Sequence, residues 1–246
     1  DGTGVNFRIH TSVPVQGGNA AQRREYDKRI GEGTMSRAGA QCPCCGTIMT
    51  LEDIRVEAKQ GAMGQMATAV VIDGQKGKEY RLPTDHETGV AEIPSEELEH
   101  VFEDIPFGVP NEQTPAGGGR GAARAFSVQN YGQRHWHQLF SRRQLVALGV
   151  LVSKIRRVRE VCDAEAGTWT QAISAYLSTS LDRQVDQLTT VATWYLPGEN
   201  VKHTYVRYAL PVMWDFAEAN PLFSGGGSWS SAINLDFYII LRIFSI

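Results

Sequence analysis

A second cysteine knuckle is missing from this sequence. The chain holds 4 cysteines in 246 residues, and three of them crowd into the run Cys42-Pro43-Cys44-Cys45-Gly46. The fourth, Cys162, stands far down the chain in a strongly helical stretch. A disulfide scaffold needs spaced, paired cysteines, so this spacing argues against one. It points to metal and to a reducing, cytoplasmic compartment. Long apolar runs are missing as well. No stretch of about 18 uncharged apolar residues occurs, so no helical membrane span is expected. There is no initiator Met and no visible secretory signal; the chain starts at Asp1, and the expectation is an internal piece of a larger protein. The triple glycine Gly117-Gly118-Gly119 has no strand leading into it and no Gly-Lys-Ser/Thr after it, which excludes a phosphate loop. No Ser/His/Asp arrangement can be nominated as a nucleophilic triad.

Charge of one sign is also absent, by segment. From Asp85 to Gly119 there are nine acidic residues and neither Lys nor Arg. From Arg120 to Glu160 there are nine basic residues and one acid, Glu160. The net charge of -3 hides this asymmetry. A basic block inside a nearly neutral chain points to nucleic acid. The competing reading is that the acidic and basic segments are solvated helix faces packed against each other. Overall, 42% hydrophobic and 21% charged residues fit a globular protein of one large or two ordinary domains.

What is present in the knuckle suits zinc. A tight turn offers the Cys42 and Cys45 thiolates, and Gly46 tolerates the turn's unusual backbone angles. Structural zinc takes four ligands, so this is half a site. A redox pair or free thiols are the alternatives. Cys44 is the spare thiol, able to replace either neighbour.

Residues 1–40 read as a loose, polar connector, with Val13-Pro14-Val15 extended and a helical turn or two within Gln22–Ile30. Residues 41–104 read as the half zinc ribbon with a β-hairpin. Its parts are a short strand at Thr47–Thr50, then Thr68–Ile72, a Gly-bearing turn and Lys78–Leu82. Leu51–Arg55 either starts a helix or stays extended. Ser95 is the expected N-cap of a short helix. Residues 105–125, with Pro106, Pro110, Pro115 and the triple glycine, read as a linker.

Residues 126–233 read as helical. Ser141 and Gln144 form a capping box, followed by an apolar stripe at Leu145, Leu148, Val152, Ile155 and Val158. A second helix is predicted from about Thr170 to Trp194, with Ile173, Leu177, Leu181 and Leu188 as its core face and Pro197-Gly198 as its stop. A third is predicted at Pro211–Ala219. Arg134, Arg142, Arg143, Lys154, Arg156, Arg157 and Arg159 are the candidate DNA contacts; Arg142, Arg143, Arg156 and Arg157 fall largely off the apolar stripe. His135-Trp136-His137 reads either as a metal pair or as an aromatic helix entry, with Tyr131, Trp136 and Phe140 in the core. Asp215 and Glu218 sit at catalytic-pair spacing, and without a nucleophile or cofactor loop a structural role is expected of them.

Three phrases carry a resemblance: YGQRHWHQLFSRRQLVAL (Tyr131–Leu148), YLSTSLDR (Tyr176–Arg183) and ALPVMWDFAEANP (Ala209–Pro221). In this order they resemble the large bacterial and archaeal adenine-specific DNA methylases that contain a zinc ribbon, a domain-of-unknown-function family with anti-phage-associated members. The resemblance covers roughly Gln41 to Trp229. It implies methyl transfer from S-adenosylmethionine to an adenine amino group of DNA by the parent enzyme. The family's Gly-rich cofactor turn and first zinc knuckle lie upstream and its Asp-Pro-Pro-Tyr motif downstream; none of these is in this chain, so no catalytic residue carries over. The implied place is between the cofactor and catalytic halves, where insertions serve target recognition. The expected partners are DNA and the remainder of the methyltransferase chain. Residues 234–246 depart from the family pattern and read as an aberrant or truncated tail. The expected fold class is α+β, a zinc-knuckle and hairpin part followed by a mainly α-helical part of a larger methyltransferase. A non-catalytic zinc-ribbon module binding nucleic acid or protein is the alternative, and a gene remnant a third reading.

Overall fold

The computed structural model describes residues 4–10, 18–36, 38–117, 125–161 and 167–235. The predicted extended piece at 13–15, Cys162 and most of the tail lie outside the described residues. The chain is mixed α/β and splits into two compact units, 1–90 and 91–246. Each sheet among the described residues is a two-stranded antiparallel hairpin.

In the first unit, α1 (Ala20–Ile30) starts at a complete capping box. Asn19 Oδ1 accepts the Gln22 amide at 3.0 Å, and Gln22 Oε1 accepts the Asn19 amide at 2.9 Å. Two orphan donors are thereby satisfied, and the polar segment runs about three turns rather than one or two. Strands β1 (Ala40–Gln41) and β2 (Ile48–Met49) pair across the knuckle. Gly39 precedes them at φ +142°, where a Cβ would lie 1.9 Å from the Met49 carbonyl oxygen, so no other residue fits. Leu51 opens a helix. In α2 (Leu51–Lys59) the Thr50 and Asp53 side chains form a second capping box, and Ile54 and Ala58 are buried. Strands β3 (Val70–Gly74) and β4 (Gly77–Arg81) form the predicted hairpin, with Gln75-Lys76 at its tip and Gly77 at φ +125°. Arg81 forks onto both Glu87 carboxylate oxygens, tying β4 to α3 (Asp85–Ala91).

Three helices carry most of the second unit, and a further helical segment begins at residue 229. α4 (Ser95–Phe102) begins one residue earlier than expected: Pro94, not Ser95, occupies the cap position, and no side chain caps it. α5 (Arg142–Val161) begins at the predicted box, with the Ser141 amide donating to Gln144 Oε1 at 2.8 Å. Leu145, Leu148 and Ile155 of its stripe are buried. Gly149 lets α4 approach; a Cβ there would fall 2.6 Å from Val101 Cγ1. α6 (Gly167–Gln187) packs on α5 and buries Thr170, Ser180, Gln184 and Gln187; of the predicted core face, Leu188, just past the helix end, is buried, while Ile173, Leu177 and Leu181 are only half-buried. These polar side chains are tolerated inside because several bind incoming backbone: Gln184 Nε2 donates to the Gly227 carbonyl at 2.6 Å and Gln187 Nε2 to that of Val201 at 3.5 Å.

Two predicted helices end differently, and the reason is where the amides go. α6 stops at Gln187 rather than Trp194. The Thr189 hydroxyl accepts the Val191 and Ala192 amides, and the Thr190 amide donates to the Leu139 carbonyl at 2.7 Å. Trp194 then enters β5 (Trp194–Tyr195), which pairs with β6 (Asn200–Val201). Pro211–Ala219 is not a helix. The Leu210 amide donates to Ala125, its carbonyl accepts from Ser127, the Val212 amide donates to the Ser127 hydroxyl, and the Ala217 amide to Ala192. A strap whose donors are used by distant partners has none left for carbonyls four residues back. The core beneath holds Phe126, Val128, Leu139, Val191 and Leu210, flanked by Trp136, Phe140, Val212 and Met213. Residues 110–114, inside the predicted linker, lie against 134–137: Thr114, Trp136 and His137 amides bond across, and Thr114 is buried.

Candidate nucleic-acid interface and thiol turn

The α5 cations are built on a helix whose opposite face is core. Arg142, Lys154, Arg156 and Arg157 are exposed. At 100° per residue they fall within an arc of about 160°, opposite the buried Leu148 and Ile155, with the buried Leu145 at its edge. Fourteen residues separate Arg142 from Arg156 in the sequence, a rise of about 21 Å along the helix. Arg142 Nη1 donates to the Ile93 carbonyl at 3.0 Å, and Arg157 lies 3.8 Å from Glu160 on the same helix. No ion pair joins these cations to the acids of residues 91–112 among the described residues.

Arg143 is different. Its Nε lies 2.5 Å from Glu218 Oε1 and its Nη2 donates to Oε2 at 2.9 Å, while the Ser141 hydroxyl donates to Oε2 at 3.3 Å. This half-buried fork pins the start of α5 to the 211–220 strap, and it gives Glu218 the structural role expected of it. Asp215 is exposed. Arg134 is exposed and stands apart on the loop before residue 136, where its backbone carbonyl takes the Thr114 amide. The side chain of Arg159 lies outside what the structure describes.

His135 and His137 stack with ring centroids 5.8 Å apart. Each Nδ1 faces a carbonyl, of Asn111 at 2.8 Å and of Pro110 at 3.0 Å, so each Nδ1 carries its proton and donates. They staple 110–111 onto the short 3₁₀ turn Trp136–Leu139.

In the thiol turn, the Gly46 amide donates to the Cys42 carbonyl at 2.9 Å, the Cys42 amide to Thr47 at 2.8 Å, and Gly46 sits at φ +75°. Cys42, Cys44 and Cys45 are free thiols. Cys45 Sγ lies 3.3 Å from the Thr47 hydroxyl. That contact, with the Thr47 backbone and Cys42, favours the thiolate and lowers the Cys45 pKa. Desolvation, then repulsion from Cys42, raises that of Cys44. Among the described residues no group of three or more His, Cys, Asp or Glu converges as a metal site. Structural zinc takes four ligands, so the described residues hold no complete zinc site. S-adenosylmethionine does not fit the described residues: they contain no strand–Gly turn–helix unit and no parallel sheet.

No protein-family model, curated protein or solved structure matches the chain. No described helix is long and apolar enough to cross a membrane. A cleft of about 270 Å³ opens between α5 and the strap end, with Val150, Leu151, Pro221, Leu222 and Trp229 among its walls. Among the described residues its walls carry no charged side chain.

Sequence reasoning passed over Lys202–Tyr208, where cations and aromatics alternate. There the Asp186 carboxylate accepts from His203 Nδ1 at 2.5 Å and from the Tyr205 amide at 2.7 Å. Burial and the nearby Asp186 push the Tyr205 hydroxyl up to about 12.

Proposed function

We propose that this chain is the DNA-engaging, target-recognition region of an S-adenosylmethionine-dependent, adenine-specific DNA methyltransferase. The cofactor and the chemistry belong, in this reading, to the rest of that enzyme. Base chemistry on a duplex requires one nucleotide to be extruded while the protein grips the backbone, and this region supplies the grip. The observation that carries the reading is the exposed cationic face of α5: Arg142, Lys154, Arg156 and Arg157 over about 21 Å, free of the acids of residues 91–112. Its core-facing stripe holds the helix in place, so the cations are presented on a rigid element. Cys42 and Cys45 would hold zinc together with two ligands from the remainder of the enzyme, fixing the knuckle in the assembled protein.

Duplex binding at two or more salt concentrations tests this. Each phosphate neutralised contributes about -0.9 to the slope of log affinity against log salt. Replacing Lys154, Arg156 and Arg157 by Gln should flatten the slope by up to about 2.7 and leave the thermal melt unchanged, because no core residue is touched. A wild-type chain without salt-dependent duplex binding, or a variant with an unchanged slope, overturns the proposal.

A further inference from the structure

The end of α6 holds a short loop by its inner residues and turns the outer ones to solvent. Thr204 is buried, its hydroxyl 2.7 Å from that of Thr189, and its amide donates to the Asp186 carbonyl at 2.9 Å. His203 and the Tyr205 amide grip the Asp186 carboxylate. At the far side Leu210 is buried and bonded to Ala125 and Ser127. Between these anchors Tyr205 is 42% exposed, Val206 62% and Tyr208 82%, and Arg207 is exposed as well. Globular surfaces seldom present such a run without a use for it. Tyr208 is not loose. Its ring meets that of the buried Phe126 edge to face, centroids 4.8 Å apart at 82°, which fixes its plane while leaving most of it open.

Charge decides what this surface takes. From Asn200 to Trp214 the sequence has Lys202, His203 and Arg207 and no Asp or Glu. The nearby carboxylate, Asp186, is occupied by His203 and the Tyr205 amide. Aromatic rings offered beside the exposed Lys202 and Arg207 match a polyanion with exposed π faces. A paired duplex hides its base faces inside the stack, whereas unpaired nucleotides offer them.

We propose that residues 202–208 form a stacking surface for the bases of single-stranded nucleic acid, with Tyr205 and Tyr208 as the platforms and Lys202 and Arg207 on the phosphates. This rests on the nucleic-acid reading of the second unit but on different residues, so the two fail separately.

The test is fluorescence anisotropy of the full chain with labelled oligothymidylate, oligouridylate and a duplex of equal length. The wild type should bind the single strands, and the stronger of the two names the source as DNA or RNA. Tyr205→Ala and Tyr208→Ala should each weaken single-strand binding roughly thirtyfold, the mid-range for one base stacked on one ring, with duplex binding unchanged. Tyr208→Phe keeps the ring and should bind as wild type. The α5 variant described above should weaken duplex binding and leave the single-strand effect of the two tyrosines in place. The proposal is overturned if the wild type ignores single strands, if both alanine variants bind them undiminished, if they lose duplex binding equally, or if Tyr208→Phe loses as much as Tyr208→Ala. Capture of a protein partner through the same two tyrosines, without single-strand binding, overturns it as well.

Discussion

Glu218→Ala should destabilise the second unit while leaving DNA contact alone. Glu218 receives three hydrogen bonds, two from the Arg143 guanidinium and one from the Ser141 hydroxyl. Its side chain is 22% exposed and that of Arg143 35%. A fully exposed pair is worth about 0–1 kcal/mol, and breaking a fully buried one costs about 3–5. This pair lies between, so about 2 kcal/mol is expected, within the range for hydrogen bonds to charged groups. For a chain of this size that is a fall in Tm of about 4–8 °C. Arg143→Met should cost about the same, since it removes the same fork. The double variant should cost little more than either single one, because residues in direct contact are not additive. Circular dichroism melts of the four proteins measure this. The salt slope of duplex binding, taken in parallel, should not change in Arg143→Met. The reasoning is wrong if Glu218→Ala melts with the wild type, if the two costs simply add, or if Arg143→Met flattens the salt slope as the other α5 cations should.

Two further outcomes follow from the first unit. Cys45 should be alkylated before Cys44, and at lower pH, because Thr47 lowers the pKa of one while desolvation raises that of the other; Thr47→Val should slow Cys45 selectively, and peptide mass spectrometry after timed iodoacetamide exposure reads the order. Hydrogen bonds from Arg81, then from Thr84, hold Glu87 well below the usual carboxylate range. A depressed folded pKa contributes stability that is complete above the unfolded value of about 4.3 and is lost as pH falls towards the folded value. The wild type should therefore lose stability below about pH 4.3, and Glu87→Gln should melt lower at neutral pH and show a flatter acid limb, by melts across that range.

The parts of the fold that were legible in the sequence are those where the causal residues are neighbours. Ser141 and Gln144 lie three apart and close their box within one turn, so α5 starts where the pattern says. The hairpin reads from its β-branched strand and Gly77, which are also local. The larger failures are non-local. Nothing within Pro211–Ala219 discloses that its amides are claimed by Ser127 and Ala192. The polar buried face of α6 looks like a solvent face until Gly227 and Val201 bring carbonyls to it. Residues 110–114 have the proline of a linker, yet His135 and His137 fasten them.

The same division explains the candidate sites. Counting charge found the basic segment but could not sort it. Arg142, Arg143, Arg156 and Arg157 are equivalent by composition and by their place off the apolar stripe. Only the fold brings Glu218, 75 residues away, onto Arg143 and leaves the side chains of Arg142, Arg156 and Arg157 exposed. A basic run is therefore an upper bound on phosphate contacts, from which each internally paired cation must be subtracted. The loop at 202–208 shows the converse. Its two cations are too few to register as a charged segment, and its tyrosines lack any period. The signal that was available is joint: rings alternating with cations over a stretch without Asp or Glu. A core segment needs no such exclusion of acids, because Phe126, Val128 and Leu139 are simply buried. An exposed loop that excludes acids while keeping bulky rings has solved two constraints at once, and a polyanion with open base faces imposes both.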